Sequence, residues 1–334
     1  MKKLAKKILA ATLVTVFAAG IAQAQINART FRLSTAGATG HPSIAGGEEF
    51  GRLVSQKSGG KMTVKVFSAG VLGGDVQALS AVQGGTIDFT VMNSGILQTQ
   101  VKEFAIFDFP FLFLSGKQAD AVLDGPFGKK MADMLPAKNL VNLAYWELGF
   151  RQLTNSKRPI KTLEDINGLK IRVIQSPIYI DTWSALGANP VPMPFTELYT
   201  ALEQKVIDGQ ENPFSVIVTS KLNEVQKHLA ISNHMYNPQS LLMSKKVWDA
   251  LTKDEQKIFT DSAREATAVE RKYARDAGEK AIVDLKKTME VTTLPAAEIA
   301  KIQAKLKPVI DKFSANVGAD LVKELQAELA KAPQ

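Results

Sequence analysis

The chain has 334 residues, a formal net charge of +8 and no cysteine. It therefore offers no disulfide, no thiolate metal site and no cysteine nucleophile, and its fold must rest on an apolar core. Four of the positive charges are Lys2, Lys3, Lys6 and Lys7, which leaves +4 for the rest; so weak and dispersed an excess argues against a nucleic-acid surface.

Those lysines, the apolar run Ile8 to Ile21 and Ala22-Gln23-Ala24 read as a Sec-type secretory signal peptide over residues 1–24, cut after Ala24. The expected location is the periplasm. No later stretch approaches the roughly 18 apolar residues of a spanning helix.

Phe31 to Thr35 predicts a strand, followed by a loop to Pro42 and a helix through Phe50, Leu53 and Val54. Ser58-Gly59-Gly60 breaks that helix, and Met62 to Phe67 alternates as a strand. Asp75 is placed as the N-cap of a helix through Leu79 and Val82, and Ile87 to Met92 is the next strand. This β-α-β-α-β order argues for an α/β layer structure. Phe104 to Leu114 packs five phenylalanines into eleven residues. An aromatic ligand wall is one reading and buried core packing the favoured one.

Helices are predicted over 116–123 and 126–138, and a strand over Val141 to Trp146. A second α/β set follows. In NGLKIRVIQSP (167–177) apolar and polar positions alternate, so that a half-buried strand carries Arg172 near its end. A helix from Ile178 to Leu186, a proline-locked stretch to Pro194, and a helix from an N-capping Thr196 to Glu203 come next. Alternation returns near Leu241 to Met243. A long charged helix runs from Asp254 to about Met289, and 296–305 and 319–330 also read as helical.

Catalytic signatures are sparse. The three histidines lack metal-ligand spacing, and there is no G-x-S-x-G, P-loop or G-x-G-x-x-G. No metal and no cofactor is expected, and a binding protein is favoured over an enzyme. Arg151, Arg172 and Asn212 can meet at one sheet edge, and two guanidiniums with an amide suit a carboxylate. Either arginine alone could equally be an exposed strand residue or half of a structural ion pair.

The stretches GFRQLTNSKRPIKTLEDINGLKIRV (149–173) and GANPVPMPFTELYTALEQKVIDGQENP (187–213) resemble the periplasmic solute-binding subunits of tripartite ATP-independent periplasmic (TRAP) transporters, of the DctP-type dicarboxylate-binding subgroup. HPSIAGGEEFGRLV, LGGDVQALSAVQGGTIDFTVM and the segment from VWDAL into the long helix fit in the same order. The resemblance implies an α/β, two-lobed periplasmic solute-binding fold with a long hinge-spanning helix. Its lobes would be 25–148 plus 236–276 and 149–235 plus 277–334, closing on one small organic acid that is handed to membrane permease subunits.

Residue by residue, the resemblance implies that Arg172 forms a bidentate salt bridge to the ligand carboxylate, with Arg151 and Asn212 at the same group. Phe195 would pack on the ligand, and Asn93 and Asp75 would read its remainder. In the sialic acid-binding branch the position of Asn93 is a glutamate and that of Ile96 an arginine, so sialic acid is disfavoured. The expected ligand is a C4-dicarboxylate, with His41 or Arg151 at its second carboxylate, or a sugar acid such as a uronate. For the latter Asp75, Asn93, Glu147 and Gln152 would read hydroxyls. Ser176 and Tyr236 complete the expected set, although His41 could be a loop cap and Tyr236 core. A periplasmic enzyme acting on a sugar acid, or the ligand-binding subunit of a sensor, are the alternatives.

Overall fold

The computed structural model describes residues 26–333; the predicted signal peptide and its cleavage site lie outside them. In chain order the elements are β1 (Arg29–Ser34), α1 (Pro42–Lys57), β2 (Met62–Phe67), α2 (Asp75–Gly84), β3 (Phe89–Asn93) and α3 (Ser94–Leu97), then α4 (Gly116–Asp124), α5 (Pro126–Ala132) and β4 (Leu140–Asn155). There follow β5 (Lys170–Val173), α6 (Pro177–Ala185), β6 (Asn189–Pro192), α7 (Leu198–Glu203), β7 (Gly209–Asn212), α8 (Phe214–Thr219), β8 (His228–Ser244) and α9 (Lys245–Asp249). The chain ends with α10 (Lys253–Thr288), β9 (Glu290–Thr293), α11 (Ala296–Val317) and α12 (Ala319–Lys331). None of the described helices is long and apolar enough to cross a membrane.

The strands form one mixed sheet in the order β2-β1-β3-β8-β4-β7-β5-β6, with β9 paired to β8. At one end β2, β1 and β3 are parallel; at the other β6, β5 and β7 are parallel. These are the two α/β sets of the sequence, and the antiparallel pair β4 and β8 joins them. The C-terminal ends of β1 and β3 and those of β5 and β7, where such sheets bind ligands, border one cleft.

Sequence reasoning saw β4 and β8 only as short pieces, because each contains a residue that punctuates strands. Gly149 sits inside β4 at φ +113° and Pro238 inside β8. The β4–β8 register slips between Glu147 and Gly149, and Glu147 pairs with Pro238. A bulge accommodates both residues, since it needs neither a ladder N–H nor ordinary φ at that point. A Cβ on Gly149 would meet no atom nearer than 3.5 Å, so the constraint there is backbone strain alone. Gly149→Ala is expected to cost about 1–2 kcal/mol. A lowered urea midpoint checks this; an unchanged one contradicts it.

Two further assignments are corrected. Gly74, not Asp75, caps α2, and Asp75 is its first helical residue. Thr196 is not a cap: Pro194 precedes a 3-10 turn over Phe195–Glu197, and α7 begins after Glu197.

The phenylalanine run is core. Phe104, Phe107, Phe109 and Phe113 are buried, and Phe107 meets Phe127 and Tyr145 edge-on. A second cluster, Phe31, Phe50, Phe89 and Phe259, joins the first parallel set to α10. The 36-residue α10 opens on a Thr252/Glu255 capping box and packs on α1, β4 and α8, elements of both ends of the sheet. Arg271 pairs it to Asp124, and Arg275 to Asp120 and Glu147. The C-terminal helices also bridge: α11 packs on α6, and α12 on α4 and α5.

Candidate functional site

A narrow cleft lies where the two parallel sets face each other. The end of β1 supplies Thr35, β3 supplies Asn93, β5 supplies Arg172 and β7 supplies Asn212. His41, Asp75, Phe195 and, from β8, Gln239 complete its polar and aromatic wall. The two sides also approach each other at Gly70 and Thr196: a Cβ on Gly70 would come within 2.5 Å of the Thr196 methyl carbon.

Arg172 is 2% exposed. Its Nε and Nη2 donate to the carbonyl of Met193 at 3.1 and 2.8 Å, and its guanidinium lies 5.7 Å from the Phe195 ring centroid. Those contacts fix the plane of the fork but leave its charge without a carboxylate in salt-bridge contact among the described residues. Burial, reinforced by repulsion from Arg151, pulls the Arg172 pKa down to about 10, with Glu211 and Asp75 opposing. A buried, unpaired cation that still reaches the cleft is a standing demand for an anion.

Arg151 was expected beside the same carboxylate. The structure puts it behind the cleft wall, fully buried and already satisfied. Its Nε donates to one Glu211 carboxylate oxygen and its Nη2 to the other at 2.9 Å, while Nη1 reaches Asn237 Oδ1 at 3.1 Å. Glu211 also contacts His234 Nε2 at 3.2 Å. Nη2 further donates to Asn212 Oδ1 at 3.2 Å, and Asn212 Nδ2 donates to Gln210 at 2.6 Å. Arg151 thus orients Asn212, whose second N–H is left for the cleft.

His41 is both a cap and a wall residue. The Ser43 N–H donates to its Nδ1 at 3.2 Å, so the proton resides on Nε2 and the ring is neutral. Burial lowers its pKa to about 4. Asp75, released from capping, makes no side-chain hydrogen bond among the described residues. Desolvation pushes its carboxyl above the usual carboxylate range, and Arg172 pulls the other way.

Four expected residues are not brought to the cleft. Glu147 faces α10 and pairs with Arg275 at 2.6 Å, because its neighbour Leu148 takes the cleft side of β4. Gln152 is used by the backbone N–H groups of Ser232 and Asn233. Ser176 donates to Gln98 at 2.7 Å, and Tyr236 packs edge-on against Phe113 and Phe150. In the other direction, sequence reasoning missed Gln239. It stands on the same strand face as Leu241 and Met243, and a polar residue closing a buried apolar row was the available signal. Its Nε2 donates to Asn93 Oδ1 at 2.9 Å, while its buried Oε1 has no partner.

Beneath the cleft, Asp108 Oδ1 accepts from Ser94 (2.9 Å), Tyr179 (2.9 Å) and Asn237 (3.0 Å). Desolvation raises its pKa to about 7 despite these donors and Arg151. A folded-state pKa raised in this way favours folding fully below about pH 4, and the contribution is lost as pH rises through about 7. That loss should be on the order of 4 kcal/mol. Asp108→Asn should flatten this part of the stability profile; denaturation midpoints at pH 4.5 and 8 check it, and a slope identical to wild type contradicts it. No group of three His, Asp or Glu suited to a metal occurs among the described residues.

Residues 33–316 match the family model described as bacterial extracellular solute-binding protein, family 7. The fold matches the sugar acid binding protein of Advenella mimigardefordensis solved with galactonate, at a TM-score of 0.91 and 42% identity over 92% of this chain and 100% of that one. It also matches a TRAP periplasmic solute binding protein of Ochrobactrum anthropi whose C-terminus is bound in its ligand binding pocket, at TM-score 0.82 and 50% identity over 92% and 96%. The 2,3-diketo-L-gulonate-binding periplasmic protein of Escherichia coli is 37% identical, over 83% of this chain and 85% of that protein. With the family match covering most of the chain and the whole fold reproduced, this protein belongs to the DctP family of TRAP-type extracellular solute-binding proteins.

Proposed function

We propose that the chain is the ligand-capturing subunit of a TRAP transporter, exported by residues 1–24, and that it binds a small organic acid and delivers it to membrane permease subunits. The observation that carries this reading is Arg172, a buried guanidinium open to the cleft with no carboxylate partner. A ligand carboxylate would accept from it in bidentate fashion and from the free N–H of Asn212, with Phe195 covering the pair. His41, Asp75, Asn93 and Gln239 would face the remainder. The relative solved with galactonate and the relative named for 2,3-diketo-L-gulonate each bind a sugar-derived acid, which supports the reading. It is a capture function, without turnover.

Only a closed cleft touches the ligand from both sides, so the acid would shift the protein toward closure. The moving bodies would be the lobes 25–148 plus 236–276 and 149–235 plus 277–334, with β4, β8 and α10 crossing between them.

A thermal-shift screen of the mature chain against C4-dicarboxylates, uronates, aldonates and 2-oxo acids tests this reading. An acid at a hundred times its Kd should stabilise by about 2.7 kcal/mol. If no acid in the panel raises the melting temperature, the capture reading fails.

A further inference from the structure

The cleft's unpartnered polar atoms differ in kind from one side to the other. Around Arg172 and Asn212 they are donors. Opposite them stand two acceptors without a partner, the buried Gln239 Oε1 and the Asp75 carboxyl, beside two donors, Asn93 Nδ2 and His41 Nε2–H. The charged or titratable residues of the wall are Arg172, Asp75 and the neutral His41. Arg151 is fully engaged by Glu211.

A second carboxylate placed there would only accept. It would leave Gln239 Oε1 unpaired and meet Asp75, whose one nearby cation, Arg172, the first carboxylate already engages. A hydroxyl both donates and accepts, so a run of hydroxyls can satisfy all four groups. Gln239 lines the cleft, and because Asn93 already holds its amide nitrogen, its oxygen is the atom left to accept.

We propose that the ligand is a polyhydroxy monocarboxylate, an aldonate or uronate, rather than a C4-dicarboxylate, and that Gln239 and Asp75 accept hydrogen bonds from its hydroxyls. This rests on the capture of a carboxylate by Arg172.

Isothermal titration of the mature protein with D-gluconate, D-galactonate, D-erythronate, D-galacturonate, hexanoate and succinate tests it, alongside Gln239→Met, Asp75→Ala and Arg172→Ala. At least one hydroxy acid should bind tenfold or more tighter than succinate and hexanoate. Gln239→Met and Asp75→Ala should each weaken it tenfold or more, about 1.4 kcal/mol, and Arg172→Ala should remove binding of every acid. Succinate binding as tightly as the best hydroxy acid, through Arg172, overturns the ligand class and leaves the carboxylate reading standing. Hydroxy-acid binding indifferent to both Gln239→Met and Asp75→Ala overturns their roles. Binding unchanged in Arg172→Ala, or no acid bound by the wild type, overturns the proposal together with the reading beneath it.

Discussion

Arg172→Ala is expected to lower affinity for the bound acid at least a hundredfold, about 2.7 kcal/mol, within the range of about 2–5 kcal/mol for removing one partner of a buried, hydrogen-bonded charge pair. The ligand-free protein should respond in the opposite sense. Burial without a carboxylate holds the guanidinium below its ordinary pKa, so the folded apo state carries an uncompensated charge. Replacing it forfeits two donations to the Met193 carbonyl and the contact with the Phe195 ring, none of which involves an opposite charge. Apo Arg172→Met should therefore melt no lower than wild type while binding nothing. Calorimetric melting with and without ligand separates the two effects. A variant that melts well below wild type without ligand would make Arg172 a structural residue instead.

Glu211→Ala should be the most destabilising single change near the site. Glu211 is fully buried and carries the charge that balances Arg151. Removing it strands a guanidinium that keeps only neutral acceptors, Asn237, Asn212 and the residue 211 carbonyl. Breaking one side of such a pair costs about 3–5 kcal/mol. Ligand affinity should fall as well, because Arg151 orients the Asn212 amide. Urea denaturation measures the first effect, and a loss below about 1 kcal/mol would contradict the assignment. The double variant Arg151→Met, Glu211→Leu should recover much of the stability, since both charges then leave the interior.

The first β-α-β-α-β set was legible because each strand and helix has its own period and its own breakers; of the second, β5, the extended piece at β6 and the two helices were legible, while β7, all polar apart from Gly209, was not. Nor was the bridge between the two sets. Gly149 and Pro238 signal interruption, and only the pairing partner reveals that both belong to one bulge. Local rules also misplaced Asp75, which suits a cap by type, while Gly74 fills that role and leaves the carboxylate free for the cleft. Arg172 could be singled out from its strand, and the family resemblance assigned it a role. Arg151 looked equivalent in sequence. Its pairing with Glu211 brings together positions 60 residues apart, which no spacing rule encodes. Gln239 escaped notice because Asn237-Pro238 reads as the end of a strand.

The most direct measurement is a crystal structure of the mature protein with the acid that stabilises it most. The account predicts the carboxylate between the lobes, both oxygens within about 3 Å of Arg172 nitrogens and one also reached by Asn212 Nδ2, with the rest of the ligand toward Asp75 and Gln239. A carboxylate bound elsewhere, with Arg172 still turned only to the Met193 carbonyl, would contradict it.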